Sequence, residues 1–462
     1  VPGRAGGLSV IVLSLLSVFA AGAGAAVAKL TPERHLMPQP PTVAARDLAR
    51  TAATVPAADP GAARAPDPSA LAGRLAGPAG GAGAKINAVV IDAVTRRPLF
   101  QQRADQPATP ASTTKLATSV AALAALGPGH RIATRVVRGP GGAVVLVGGG
   151  DPTLTALPAR PEDGHPPYAS LADLARRTAA ALRSAGVRRT RVDYDASAYQ
   201  GPRTAAGWKP NYVPDGEAAP VSALAVDSGR VSPLDTTRKT RVADPPAAAA
   251  AKFAQALTRA GVPATAGRSV RAADGSAQVA EVRSPPLSAL VEHLMTASDN
   301  DVAEAVARQV AIRKGRQPSF AGAAQAVTET LRGLDAADGL LVNDGSGLST
   351  RNRITPLALA RIAALAASPE RPELSAAITG LPVAGFSGTL RPPRYTVPSS
   401  QAAAGMVRAK TGTLSGVSTL AGIARDADGR LLAFAFMMGD GKSAADPAKL
   451  DQLAALVATC GC

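Results

Sequence analysis

The fold class this sequence predicts is α/β (α+β): an antiparallel sheet flanked by helices, interrupted by an inserted α/β segment. Three observations predict it. A strand-length apolar run, INAVVID at 86–92, stands far from three more at 407–414, 418–424 and 431–438, and the early run has to return to join the late ones. Helix-period stretches precede the late strands, and one more helix closes the chain. Between them, 131–283 alternates strands and helices with its own turn signals. With 462 residues there is room for two or more domains. The chain is 46% hydrophobic but only 3% aromatic, so its core has to be built from Ala, Val and Leu.

The elements follow in order. Arg4 precedes an uncharged apolar stretch, 8–28, ending in Ala26-Val27-Ala28. A cation, an apolar segment and a small-residue site predict a cleaved signal peptide. An uncleaved membrane anchor is the alternative, since the stretch is long enough to span a bilayer. Either way the rest is expected to be extracytoplasmic, in the cell wall or periplasmic space, touching membrane only through 8–28 if uncleaved. Residues 29–85 are dominated by Ala, Pro, Gly and Arg without a sustained apolar period, which predicts a disordered linker. Strands are expected at 86–92 and from Pro98. Pro110 disfavours helix before it, so a helix is expected to open near Ser112 and to stop at Gly127-Pro128-Gly129.

In 131–283, a hairpin is expected around Gly139-Pro140-Gly141-Gly142, a helix at 170–184, a strand at 188–194, a helix capped by Asp244-Pro245-Pro246 and a strand at 278–282. Gly148-Gly149-Gly150 lacks the Gly-Lys-Ser/Thr ending of a phosphate loop and reads as a turn. From 284 on, helices are expected from Pro285 to Met295, at 301–312, and after Thr355-Pro356, where Pro takes its favoured first position. The late strands follow, then a helix opened by Asp446-Pro447.

Three short motifs carry chemistry. In Ser112-Thr113-Thr114-Lys115, residues three apart share a helix face, so the Ser112 hydroxyl and the Lys115 amine lie side by side. A serine is a poor nucleophile until a base takes its proton, and an amine serves once burial or a second cation lowers its pKa. Ser298-Asp299-Asn300 sits between two helices, where a hydroxyl and a carboxamide can project. Lys410-Thr411-Gly412-Thr413 lies on an apolar strand, with Gly412 expected to leave room for a substrate backbone alongside. Each alone is commonplace: a capped helix, a polar linker, an edge strand. Together, in this order, they match the set shared by penicillin-binding proteins and class A β-lactamases.

The sequence resembles class C, low-molecular-weight penicillin-binding proteins of the D-alanyl-D-alanine carboxypeptidase/endopeptidase type, peptidase family S13. The resemblance covers residues 86–440. The long gap from Ser112 to Ser298 fits a family that inserts domains there. Gly149-Gly150-Asp151-Pro152-Thr153-Leu154, Val221-Ser222-Ala223-Leu224, Asp344-Gly345-Ser346-Gly347-Leu348-Ser349 and Gly388-Thr389-Leu390 resemble the family as well. It implies a β-lactamase/transpeptidase-like domain in two parts, 86–130 and 284–462, around an insert at 131–283. Larger members nest two domains there, so one is reduced or missing here.

The resemblance further implies that Ser112 attacks the penultimate D-alanine carbonyl of a peptidoglycan stem peptide ending in D-Ala-D-Ala, with Lys115 as base. Ser298 relays a proton to the departing D-alanine, and Asn300 holds the substrate amide. Lys410, Thr411 and Thr413, on the strand that Gly412 keeps open, attract the terminal carboxylate. The N–H groups of Ser112 and Thr413 form the oxyanion hole. β-Lactams would acylate Ser112 as inhibitors. No metal or organic cofactor is needed.

Other classes fit less well. The +16 charge, from 50 basic and 34 acidic residues, is scattered arginine without aromatic interleaving, against nucleic-acid binding. A Ser-His-Asp hydrolase needs a histidine. His35 falls in the linker, no Gly-x-Ser-x-Gly elbow accompanies His130 or His165, and His293, on an apolar helix, reads as structural. Ser346 lacks a paired base, and Asp299 reads as a helix-start residue. Cys460 and Cys462 offer neither a disulfide framework nor enough zinc ligands. Two rivals stay in view: a serine β-lactamase, whose deacylating carboxylate has no assigned position, and a non-catalytic exported wall-binding protein.

Overall fold

The computed structural model describes residues 63–80, 85–157, 167–235, 237–439 and 445–462. The signal stretch at 8–28 and His35 lie outside them. Among the described residues, no helix is long and apolar enough to cross a membrane.

Order begins before residue 85, contrary to the linker expected over 29–85. Helix α1, Pro68–Gly80, buries Leu71, Leu75 and Ala79. These lie four apart, one stripe on a helix, and the surrounding Pro and Gly mask that period in the sequence. Strands β1 (Ile86–Asp92) and β2 (Pro98–Gln102) follow, then a 3-10 turn, Ala111–Thr113, and helix α2, Thr114–Leu126.

The segment that follows builds a second sheet. Strands β3 (Ala133–Arg138) and β4 (Val144–Gly148) form an antiparallel hairpin. Helix α3 (Leu171–Ser184), strand β5 (Thr190–Asp195), helix α4 (Pro245–Arg259), strand β6 (Ala264–Ser269) and strand β7 (Gln278–Arg283) complete it in the order β6-β5-β4-β3-β7. The β4–β5 and β5–β6 pairs are parallel and need crossovers, which α3 and α4 supply. Strand β6 was not foreseen. Its residues are polar and largely exposed at the sheet edge, so no apolar alternation marks it.

The third stretch supplies most of the helices. Helix α5 is Leu287–Ala297 and α6 is Asn300–Arg313. The first begins two residues later than expected because Pro286 is extended. Helix α7, Phe320–Arg332, was also missed, although Phe320, Ala323, Val327 and Leu331 give it a buried stripe. A two-stranded ribbon, β8 (Leu340–Leu341) and β9 (Arg353–Ile354), precedes α8 (Pro356–Ala366) and the short α9 (Ala376–Thr379). Then come β10 (Val407–Leu414), β11 (Val417–Arg425), β12 (Leu431–Met438) and α10 (Pro447–Ala458).

The main sheet runs β10-β11-β12-β1-β2, antiparallel throughout, and Ile86 pairs with Met438. The early strand therefore joins the late ones. Val89, Ile91, Ala433 and Ala435 face α2, α5, α6 and α8, while Val90, Phe434 and Phe436 face α1 and α10. Both faces are covered, which is why the central strands read as continuous apolar runs rather than alternating ones. The chain's end is bonded within itself: Cys460 and Cys462 form a disulfide, a pairing the sequence reading had not assigned. The Cys462 carbonyl accepts from Asp67 N–H, tying the end to α1.

Candidate active site

Pro110 to Thr113 turn tightly before α2, and Ala111 holds φ at +48°, where side chains rarely sit. Two glycines make room for that turn. A Cβ on Gly347 would lie 1.9 Å from the Ala111 carbonyl oxygen, and one on Gly412 would lie 2.8 Å from that of Pro110 and 2.2 Å from Thr419 Oγ1. Gly412 thus lets strand β10 press against the turn that carries Ser112. The expected reason, clearance for a substrate backbone, is corrected: its missing side chain points at the protein.

Ser112, half-buried, and Lys115, fully buried, lie one turn apart. Lys115 Nζ is 3.1 Å from Ser112 Oγ, 2.6 Å from Asn300 Oδ1 and 2.7 Å from the Ser346 carbonyl oxygen. Burial lowers the Lys115 pKa from 10.5 to about 8, against the pull of Asp344, Glu304, Asp299 and Asp301, each of which raises it. The amine can therefore be neutral near physiological pH, and a neutral amine accepts the Ser112 proton. The second cation expected to help, Lys410, is not among the causes.

Lys410, also fully buried, donates to Ser298 Oγ at 2.9 Å and to the Thr411 carbonyl at 2.9 Å. Its pKa is pushed well down by burial first, then by Lys115 and Arg394. Thr411 Oγ1 donates to Thr389 Oγ1 at 2.7 Å, which draws the Gly388–Leu390 turn into the site. Thr413 is exposed on β10, the edge of the main sheet. Ala409 N–H already points off that edge, to the Pro382 carbonyl. Strand directions repeat every second residue, so the N–H groups of Thr411 and Thr413 point the same way, toward the open side.

Ser298 closes α5 with φ 59° and ψ 35°, the left-handed region, which costs a side-chain-bearing residue about 1 kcal/mol. Asp299 then caps α6, its carboxylate accepting from Val302 N–H at 3.0 Å. Asn300 opens α6 and is engaged at both ends: Oδ1 accepts from Lys115, and Nδ2 donates to the Glu217 carbonyl at 2.7 Å. A substrate amide reaching Asn300 would have to displace one of these partners, so its resting role is to fix Lys115 rather than to stand open. The eight motif residues, Ser112, Lys115, Ser298, Asn300, Lys410, Thr411, Gly412 and Thr413, converge on one place from the 3-10 turn, α2, the α5–α6 link and β10.

Several supporting residues had not been foreseen. Glu304, one turn after Asn300 on α6, accepts from the N–H groups of Gly345 and Ser346 at 3.1 and 2.8 Å, and pairs with buried Arg308. This fixes the Ser346 carbonyl that Lys115 uses. Asp344 accepts from Gly347 N–H, Asn352 Nδ2, Ser349 N–H and Trp208 Nε1, the last at 2.8 Å. Trp208 and Glu217 come from the inserted segment, so it forms one wall of the site. The four-residue spacing from Asn300 to Glu304 was the available sequence signal. Trp208 offered none.

Comparison with known proteins follows the same lines. Residues 69–240 and 234–460 match the family model described as the D-Ala-D-Ala carboxypeptidase 3 (S13) family. A carboxypeptidase of Mycobacterium tuberculosis is 40% identical over 92% of this chain and 89% of its own length. Carboxypeptidase DacB of Mycolicibacterium smegmatis is 38% identical over 98% of this chain and 97% of its own. Among solved structures, penicillin binding protein 4 from Haemophilus influenzae has the same fold. Its TM-score is 0.63 at 21% identity, covering 84% of this chain and 97% of that one. The same protein has been crystallised in complex with a β-lactam.

Proposed function

The chain belongs to the D-Ala-D-Ala carboxypeptidase (S13) family, and on that premise we propose that it releases the terminal D-alanine of peptidoglycan stem peptides through an acyl-enzyme on Ser112. The observation that carries this reading is the 3.1 Å approach of Lys115 Nζ to Ser112 Oγ, with the amine's pKa brought down to about 8. Neutral Lys115 takes the Ser112 proton as Oγ attacks the penultimate D-alanine carbonyl. The developing oxyanion meets the outward N–H of Thr413 and that of Ser112, which lies in the first turn of the 3-10 segment Ala111–Thr113 and so has no helical partner. As the C–N bond breaks, Ser298, held by Lys410, relays to the leaving amine the proton that Lys115 took, which returns Lys115 to its neutral form. Lys410 and the hydroxyls of Thr411 and Thr413 receive the free carboxylate of the departing residue. That carboxylate restores the positive charge that burial discourages on Lys410. Water then frees the acyl group.

The same site accepts a cross-linking peptide bond whose leaving group carries a free D-amino-acid carboxylate, so endopeptidase action belongs to the reading. β-Lactams, which present a carboxylate beside a strained amide, are expected to acylate Ser112. Export through residues 8–28 is part of the proposal, supported by Arg4 and the Ala26-Val27-Ala28 ending, since the substrate lies outside the membrane.

The test is incubation with a labelled penicillin, peptide mapping, and assay of D-alanine release from a pentapeptide. The label is expected on Ser112, and Ser112→Ala should abolish both labelling and release. A label on any other residue, or none, overturns the acyl-serine mechanism. Rapid drug turnover without D-alanine release would make the protein a β-lactamase instead.

A further inference from the structure

His293 has no part in the mechanism above, yet it lies against the loop that supplies two of its residues. It sits on α5, five residues before Ser298. Its Nε2 is 3.3 Å from Asp299 Oδ2, and its Nδ1 is 3.4 Å from the Tyr168 hydroxyl, with the two rings edge to face. The other oxygen of Asp299 caps α6 through Val302 N–H. One carboxylate therefore joins the last turn of α5 to the first turn of α6, and the residue between them is Ser298.

That residue needs holding, because its left-handed backbone is disfavoured for any side chain with a Cβ. The loop also meets both lysines: Ser298 Oγ accepts from Lys410, and Asn300 Oδ1 accepts from Lys115. A small slip of Asp299 would change both contacts at once. We propose that His293 is a positioning residue for the reaction, clamping Asp299 so that Ser298 and Asn300 stay on Lys410 and Lys115.

The Asp299 carboxylate, which can only accept, sets the tautomer of the neutral ring: Nε2 carries the proton, and Nδ1 is left to accept from the Tyr168 hydroxyl. The clamp thus works with a neutral ring. Burial disfavours the charged ring, but the Asp299 hydrogen bond and charge outweigh it and hold the His293 pKa above its ordinary value. A second proton strengthens the Asp299 contact. Of the charged groups around the pair, Arg241 and Asp301 lie beyond Asp299 and are bonded to each other, and Glu292 is occupied by the Thr379 hydroxyl.

The inference rests on the acyl-serine reading, and its test separates the two. His293→Ala and His293→Gln are made in the full chain, each with Ser298 intact and with Ser298→Ala. Readouts are pentapeptide kcat and KM, the penicillin acylation rate and the melting temperature. With Ser298 present, His293→Ala should lower kcat about 10- to 100-fold with KM changed less than about twofold. His293→Gln, which keeps an N–H for Asp299, should recover most of that loss. In the Ser298→Ala background only the Asn300–Lys115 contact is left to lose, so His293→Ala should cost clearly less than it does with Ser298 present. An equal loss in both backgrounds, no loss at all, or failure of His293→Gln to recover activity overturns the proposal. Should His293→Ala not fold, Tyr168→Phe takes its place, with a smaller kcat loss that again shrinks without Ser298. If wild type does not acylate Ser112, the mechanism has failed rather than this inference.

Discussion

Two lysines sit at the centre of this molecule, both fully buried, both donating to a serine hydroxyl, and their surroundings differ in sign. Lys115 is faced by Asp344, Glu304, Asp299 and Asp301, which offset part of the cost of burial and leave its pKa at about 8. Lys410 has no such set. The charges acting on it are Lys115 and Arg394, which add to burial and drive it further down. The contrast teaches a division of labour. A group that gives and takes a proton in each cycle is most useful when its pKa lies near the working pH. A group that waits for an anion gains most from it when its own charge is uncompensated beforehand. The carboxylates around Lys115 belong to the protein, and the one Lys410 lacks is the substrate's to bring.

The strongest way to break this comparison is to remove Lys115. Lys115→Met keeps the length of the side chain and deletes the base, and penicillin acylation should fall about 100- to 10,000-fold, measured by stopped-flow or gel labelling. Lys410→Met should be milder with substrates bearing a terminal carboxylate. A hydrogen bond to a charged group is worth about 1.5–3 kcal/mol, so kcat/KM should drop about 10- to 100-fold. A pentapeptide amidated at its C-terminus sharpens the point. Lys410→Met should lose much less against it, whereas Lys115→Met should lose as much as before. Equal losses for both variants on both substrates would mean that the two lysines do the same work.

How far the sequence carried is clear at these two sites. The Ser112–Lys115 contact was legible because three-residue spacing fixes a shared helix face, a local rule. The antiparallel sheet was legible because apolar runs of strand length stand at both ends of the chain. What was hidden depends on distant pairings. No local pattern says that the Trp208 indole reaches Asp344, or that Asp344 and Glu304 hold up the Lys115 pKa. Gly412 was singled out for the right residue and the wrong neighbour, since only the packed structure shows the Pro110 carbonyl beneath it. Helix α1 was missed because Leu71 and Leu75 are few among Pro and Gly, and their partner, α10, lies at the other end of the chain.

The Gly412 contact gives an intermediate test. Gly412→Ala puts a methyl group into the Pro110 carbonyl and Thr419 Oγ1 without touching either lysine. Forcing an extra carbon into a packed site costs about 1–3 kcal/mol, so the melting temperature should fall by several degrees. Acylation should slow as the turn bearing Ser112 is pushed away from β10, with the pH midpoint of the profile unchanged because Lys115 keeps its surroundings. A moved midpoint would tie Gly412 to the amine's electrostatics rather than to the turn.

The smallest effect concerns the carboxylates themselves. Lys115 acts as a base only when neutral, so acylation should rise with pH through a midpoint near 8, and at pH 7 roughly a tenth of the enzyme is poised to react. Of the four acids Asp301 pulls least on Lys115, although it also forms a buried ion pair with Arg241. Asp301→Asn keeps an oxygen for Ala219 N–H, and Arg241 retains the carbonyls of Ser228 and Gly216. Removing a negative charge removes support for the ammonium form, so the Lys115 pKa should fall and the acid limb should move to lower pH. The neutral fraction at pH 7 then increases. The variant should acylate slightly faster than wild type there, although a charge near the site has been lost. The charges acting on Lys410 are those of Lys115 and Arg394 and include no carboxylate, so discrimination between free and amidated pentapeptides should stay close to that of wild type. An acid limb that moves upward, or carboxylate discrimination that changes with it, would show that the two lysines titrate as one unit and that their surroundings do not separate them.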